Sequence, residues 1–286
     1  MARYNIPSKD AMNAAVGFPV PTPAPKSVPR RSLSELLAPF DRLAATTETF
    51  IAEPVGRFEE GGGEYELPRY ICGGCTGSGD PIRVGIFAGV HGDEPEGIGA
   101  LAQLARLFVT RSELAVGYRL FLYPICNPTG VEDRTRHSRN GKDLNREFWR
   151  HSERPEVQLL EAELVSQSFD GIICLHTDEH SNGLYAFARG STLTKHLLRP
   201  ALAAAAELLP VNQAAHIDGF HAREGLIEDC YEGVLGAPST VRPKPFEIIL
   251  ETPGQGPLFL REAALVVAVR AILSEYRKFI AFAPNL

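Results

Sequence analysis

Three apolar runs constrain this chain more than anything else in it. They are Ile82-Arg83-Val84-Gly85-Ile86-Phe87-Ala88-Gly89-Val90, Gly171-Ile172-Ile173-Cys174-Leu175 and Phe246-Glu247-Ile248-Ile249-Leu250. Each is short, rich in branched residues and reads as a strand buried on both faces, the pattern of a parallel sheet sandwiched between helices. Each also ends on a residue that binds metals or moves protons: His91 (with Glu94 three positions on), His176 and Glu251. Ligands of open parallel sheets bind beyond the carboxyl ends of the strands. Three strands ending in this way predict one common site.

The segments between these strands support the same architecture. Ile98, Leu101, Ala105 and Phe108 fall at helical spacing, as do Val157, Leu160 and Leu164, and a closing helix is expected from about Phe259 to Phe279. Tyr118 to Ile125 and Gly183 to Phe187 read as further strands, and Phe50 to Gly79 as short strands and turns. Strands alternating with helices predict an α/β fold, with a mixed, largely parallel central sheet and helices on both faces. Ser32 and Glu35 form a capping-box pattern that starts a short helix, which Pro39 is expected to interrupt. A second helix, Thr192 to Leu209, is expected to break near Pro200. Five prolines between positions 19 and 29 exclude helix or central strand there and predict an extended arm. The expected division is residues 1–45 as a Pro-rich N-terminal extension with a short helix, and 46–286 as a single catalytic domain.

Composition narrows the function classes. A net charge of -6 gives no support for nucleic-acid or anionic-membrane partners. No apolar stretch is long enough to span a bilayer, and the first thirty residues hold no apolar signal core, so a cytoplasmic location is expected. Five cysteines are odd in number and few, which argues against a disulfide framework. Cys126 and Cys174 are expected as reduced core residues, and Cys72-Gly73-Gly74-Cys75 as a loop or hairpin, since no second pair accompanies it.

His91, Glu94 and His176 supply two imidazoles and a carboxylate, a set that zinc enzymes use while leaving a fourth position to water. Other signals follow in order: Asn127-Pro128-Thr129-Gly130, then Thr135-Arg136, then Asp143-Leu144-Asn145-Arg146. With these the chain resembles the zinc metallocarboxypeptidase family over roughly residues 50 to 286. Members carry HxxE, Asn-Pro-x-Gly, an arginine, Asp-x-Asn-Arg, a later histidine and a glutamate ending a late strand. The resemblance implies one Zn2+ per chain held by His91, Glu94 and His176, with Asp143 orienting the first histidine. It implies Arg136 as the group that polarises the scissile carbonyl, although Arg134 and Arg139 lie close enough to compete for that place. It also implies Asn145 and Arg146 as the holders of a free substrate carboxylate, and Glu251 as general base. The family's mobile tyrosine has no clear counterpart; Tyr231 lies in the right interval and His221 is a rival.

The resemblance thus implies a hydrolase cutting an amide bond beside a free carboxylate in a small peptide, as a metallocarboxypeptidase or a peptidoglycan-peptide amidase. The fold it implies also suits peptides with an unusual second residue, such as γ-D-glutamyl-diaminopimelate. Aspartoacylase and succinylglutamate desuccinylase share HGxE and Asp-Leu-Asn-Arg, which makes an N-acyl amino acid the alternative substrate. Only a linker and one helix follow Glu251, which favours the compact peptidase. His176-Thr177-Asp178-Glu179-His180 also fits the inverted protease pattern HxxEH, but that chemistry needs a helix where a strand and a turn are expected. A non-catalytic binding protein on the same scaffold would be expected to lack a ligand or the base, and none is missing.

Overall fold

The computed structural model describes residues 29–73, 80–190 and 192–282. Residues 1–28, which hold most of the Pro-rich arm, and Cys75 of the Cys72–Cys75 pair lie outside the described residues. The chain runs α1 (Leu33–Thr46), β1 (Phe50–Ala52), β2 (Gly56–Glu60), β3 (Gly63–Leu67), β4 (Tyr70–Gly73), β5 (Ile82–Phe87) and α2 (Pro95–Thr110). Next come β6 (Tyr118–Tyr123), α3 (Pro128–Asp133), α4 (Pro155–Gln167), β7 (Gly171–Asp178), β8 (Tyr185–Gly190) and α5 (Thr194–Ala205). The last elements are β9 (His216–Ile217), β10 (Phe220–His221), β11 (Leu226–Ile227), β12 (Phe246–Pro253) and α6 (Leu258–Phe282).

Eight strands form the central sheet in the order β1-β4-β6-β5-β7-β12-β8-β11. The four in the middle, β6, β5, β7 and β12, are parallel, and β4 and β8 flank them antiparallel. Side chains alternate between two cores, as strand geometry requires. Val84, Ile86, Ile173, Leu175, Ile248 and Leu250 pack under α1, α2, α5 and α6. Phe87, Ile172, Cys174 and Ile249 face the opposite core, closed by α4 and the β2–β3 hairpin. Both faces are covered, so the three apolar runs are the buried parallel strands that their composition predicts.

Two helices differ from expectation. α1 continues through Pro39 and α5 through Pro200. A proline inside a helix costs one backbone hydrogen bond and a ring clash, about 3 kcal/mol. Burial offsets that cost. Phe40 is fully buried, with Leu33, Leu36, Leu37 and Leu43 packed alongside it, and α5 buries Leu197, Leu198, Ala201 and Leu202. The α1 start does follow the sequence signal, since the Ser32 hydroxyl accepts the Glu35 N–H at 3.2 Å. Cys126 and Cys174 are buried free thiols. Residues 33–46 therefore pack into the same core as the sheet.

Candidate metal centre

β5, β7 and β12 are neighbours, and their carboxyl ends bring the predicted residues together. Glu251 stands directly opposite His176 in the parallel register, and both side chains share the Cys174 and Ile249 face. His91 and Glu94 sit in the turn leading from β5 into α2, where Glu94 is the N-cap and Pro95 starts the helix. That turn is tightly held. The Gly92 N–H donates to the Thr135 carbonyl at 2.9 Å, and a Cβ on Gly92 would lie 1.9 Å from the Gly130 carbonyl carbon. Asn127 locks the facing loop by accepting the Gly130 N–H at 2.9 Å and donating Nδ2 to the Val90 carbonyl at 3.2 Å.

His91 Nδ1 lies 2.6 Å from one Glu94 oxygen, and His176 Nδ1 lies 2.9 Å from the other. The two Nδ1 atoms are 3.2 Å apart. One donor atom from each of the three residues falls within 4.8 Å of the others, and all three side chains are buried. On the far side of its ring, His91 Nε2 lies 3.1 Å from Asp143 Oδ1. Asp143 accepts from Nε2, so that once Nδ1 gives up its proton its lone pair faces the centre. Asp143 also accepts the Asn145 N–H at 3.0 Å, and its other oxygen pairs with the Arg136 guanidinium at 3.1 Å. Arg136 Nη1 reaches to 3.6 Å from Glu94.

The electrostatics agree with this geometry. Burial opposes charge on His91, but the Glu94 carboxylate and the hydrogen bonds to Asp143 and Glu94 carry its pKa to about 9. Burial holds His176 below its ordinary value despite Glu94. Glu94 and Asp143 sit well below the carboxylate range, because the imidazoles (joined by Arg136 at Asp143) outweigh the burial that opposes their ionisation. Glu251 is pushed well up by burial and by the charges of Glu94, Asp178 and Asp218, with Arg136 the opposing cation. Two ring nitrogens at hydrogen-bond distance from each other and from the Glu94 carboxylate, with Asp143 behind one ring, suit a bound divalent cation. The residues present fit a metal.

Around this centre lies a cleft of about 370 Å³. Arg136, Asn145 and Arg146 line it, together with Tyr231 and Glu251. Asn145 is buried, and its Oδ1 accepts the Leu235 N–H at 2.9 Å, which leaves its amide nitrogen to donate. The Arg146 guanidinium stacks on the Tyr231 ring at 4.1 Å, and the Tyr231 hydroxyl donates to the Asp218 carbonyl at 2.7 Å. His221 is exposed on the β9–β10 ribbon against His216. Arg139 is engaged with Asp133 and Glu132, and Arg134 donates to the Pro29 carbonyl, so of the three nearby arginines it is Arg136 that faces the cleft. His176 lies in a strand and His180 in the exposed turn after it, which rules out the helical HxxEH arrangement.

Tyr185, Phe187, Val234 and Cys230 also line the cleft, and none was singled out as a site residue from the sequence. For Tyr185 and Phe187 a signal existed. They alternate with Ala186 and Ala188 on β8 and so face one side together, next to Glu251 and Ile249 of β12. Val234 and Cys230 come from an irregular loop and carry no such period.

The sequence profile of the succinylglutamate desuccinylase/aspartoacylase catalytic domain matches residues 81–224, just over half of the chain. Among solved structures, a candidate metallopeptidase from Shewanella baltica superposes with a TM-score of 0.68 at 23% identity, covering 84% of this chain and 90% of that one. A metallo-carboxypeptidase from Burkholderia cenocepacia gives 0.67 at 16% identity, covering 87% and 70%. The Pseudomonas aeruginosa metallo-carboxypeptidase in complex with (2-guanidinoethylmercapto)succinic acid gives 0.64 at 17%, covering 86% and 69%. No curated protein sequence matches. The structural likenesses show a carboxypeptidase-like α/β fold. Among the described residues no helix is long and apolar enough to cross a membrane.

Proposed function

The chain belongs to the succinylglutamate desuccinylase/aspartoacylase family, and from that premise we propose that it is a zinc-dependent hydrolase of amide bonds next to a free carboxylate. One observation carries this reading: His91, Glu94 and His176 converge, and Glu251, opposite His176 in the sheet register, lines the cleft beside them. His91, Glu94 and His176 would hold the zinc, which when bound lowers the pKa of water to about 7 and polarises a carbonyl.

The chain's own groups supply the remainder. Asp143 keeps His91 in the tautomer that presents Nδ1. Arg146, backed by the Tyr231 ring, and the Asn145 amide bind the substrate's carboxylate and fix the scissile bond in the cleft. Glu251, whose ionisation a neighbouring divalent cation would favour against the burial that opposes it, takes a proton from the attacking water on a carboxylate oxygen and passes it to the departing nitrogen. Arg136, already beside Glu94 and Asp143, donates to the oxygen on which charge develops.

Small peptides with a free C-terminus fit these roles, as the carboxypeptidase-like fold suggests. N-acyl amino acids fit them too, and the family profile favours that second reading. The test is metal analysis of purified protein, followed by turnover of Glu251→Gln on a panel of C-terminally varied dipeptides, cell-wall peptides and N-acyl amino acids. One zinc per chain, retained in the variant while turnover is lost, is the expected result. Unchanged turnover in Glu251→Gln overturns the mechanism.

A further inference from the structure

Before α1 begins, the chain passes against the outside of the metal turn. Arg31 donates Nη1 to the Gly92 carbonyl at 3.0 Å, a contact across 61 positions of sequence. Its backbone N–H donates to the Glu132 carbonyl at 2.7 Å, and Arg134 Nε donates to the Pro29 carbonyl at 3.2 Å. Residues 29–31 are thus tied to α3 as a strap, and one side chain of the strap reaches the peptide between His91 and Glu94. Arg30 points the other way, pairing with Asp133 at 3.1 Å on the surface.

Gly92 is buried, and its peptide is held from three directions. The Thr135 carbonyl takes its N–H, the Gly130 backbone blocks its Cα, and Arg31 supplies the donor for its carbonyl. Rotation of the peptide after Gly92 would swing Glu94 relative to His91, because the two ligands hang from opposite sides of that residue. The Arg31 bond opposes this rotation. Arg31 also lies outside residues 81–224, so nothing in the family match points to it.

We propose that Arg31 is a positioning residue for the metal, acting through the Gly92 carbonyl to hold His91 and Glu94 in their binding arrangement. The proposal rests on the metal-centre reading above. It makes metal affinity depend on a strap that precedes β5, the first strand to lead into a metal ligand, by some fifty residues of sequence. Partners one step removed from a metal typically change its affinity 10–100-fold when lost, by roughly the amount expected here.

The test uses the full chain and three variants, Arg31→Ala, Arg31→Lys and Arg30→Ala. Zinc dissociation constants are measured by competition with a chromophoric chelator, and thermal midpoints are measured on the metal-free proteins. Arg30→Ala loosens the strap without touching the turn, so it controls for loss of the tether. The expected result is zinc affinity weakened about tenfold or more in Arg31→Ala. Arg31→Lys should recover part of it and Arg30→Ala should stay near the parent, with similar metal-free midpoints for both alanine variants. Parental affinity in Arg31→Ala, or an equal loss in Arg30→Ala, overturns the positioning role alone. If the parent chain binds no zinc, the metal centre falls and the positioning role with it.

Discussion

Gly92→Ala puts the geometry of the metal turn to a direct test. A Cβ at this position would lie 1.9 Å from the Gly130 carbonyl carbon, 2.1 Å from its oxygen and 2.2 Å from the Val131 nitrogen. All three are backbone atoms, so no side chain can turn aside. Reaching even a 3.0 Å contact requires turn and α3 to part by about 1.1 Å. α3 cannot give way easily. Its first turn is capped by Asn127 at 2.9 Å, Val131 is fully buried, and a retreat would strain the loop running to Arg136. The displacement therefore falls on His91 and Glu94, whereas metal-ligand distances tolerate only about 0.2 Å. A misplacement near 1 Å costs on the order of 100-fold in function, and overpacking of this kind costs about 1–3 kcal/mol of stability. The assay compares the zinc dissociation constant and the urea midpoint of Gly92→Ala with those of Gly73→Ala, whose Cβ meets no atom of the described residues within 4 Å. The expected outcome is a loss of zinc affinity of about 100-fold at Gly92 and none at Gly73. A Gly92→Ala protein that binds zinc as tightly as the parent would refute the reasoning.

Further expectations concern stability away from the cleft. Arg69 is buried, donating to the Glu53 carbonyl at 3.0 Å and pairing with Glu163 at 2.5 Å, while the Tyr123 hydroxyl donates to the same Glu163 oxygen. Arg69→Ala leaves that carboxylate without its cation and should cost about 3–5 kcal/mol in urea denaturation; a cost below 1 kcal/mol would contradict the pairing. Glu156 is fully buried, neither carboxylate oxygen has a hydrogen-bond partner among the described residues, and burial raises its pKa. The folded state therefore keeps this proton to higher pH than the unfolded chain, and stability is lost as pH rises above the unfolded value of about 4.3. Glu156→Gln should consequently gain on the parent in thermal midpoint between pH 4 and pH 8, and a pH-independent offset would exclude the linkage.

Local sequence determined much of this protein. Apolar runs of strand length force burial on both faces, which specifies a parallel sheet, and a parallel sheet gathers its strand ends at one edge. That physical chain makes the neighbourhood of His91, His176 and Glu251 legible without coordinates. The Ser32 cap and the helical spacing after Glu94 were legible for the same reason, because the forces involved act within a few residues. Tertiary structure decided what local rules could not weigh. Pro39 and Pro200 remain inside helices because burial of Phe40 and of the Leu197–Leu202 face outweighs a local backbone cost. Arg136 faces the cleft and Arg139 does not, because Glu132 and Asp133 engage the latter. The Tyr185 and Phe187 wall exists because β8 pairs antiparallel with β12, a choice of partner not written in either strand. Arg31 meets Gly92 only because folding brings together groups far apart in sequence, where spacing along the chain carries no information.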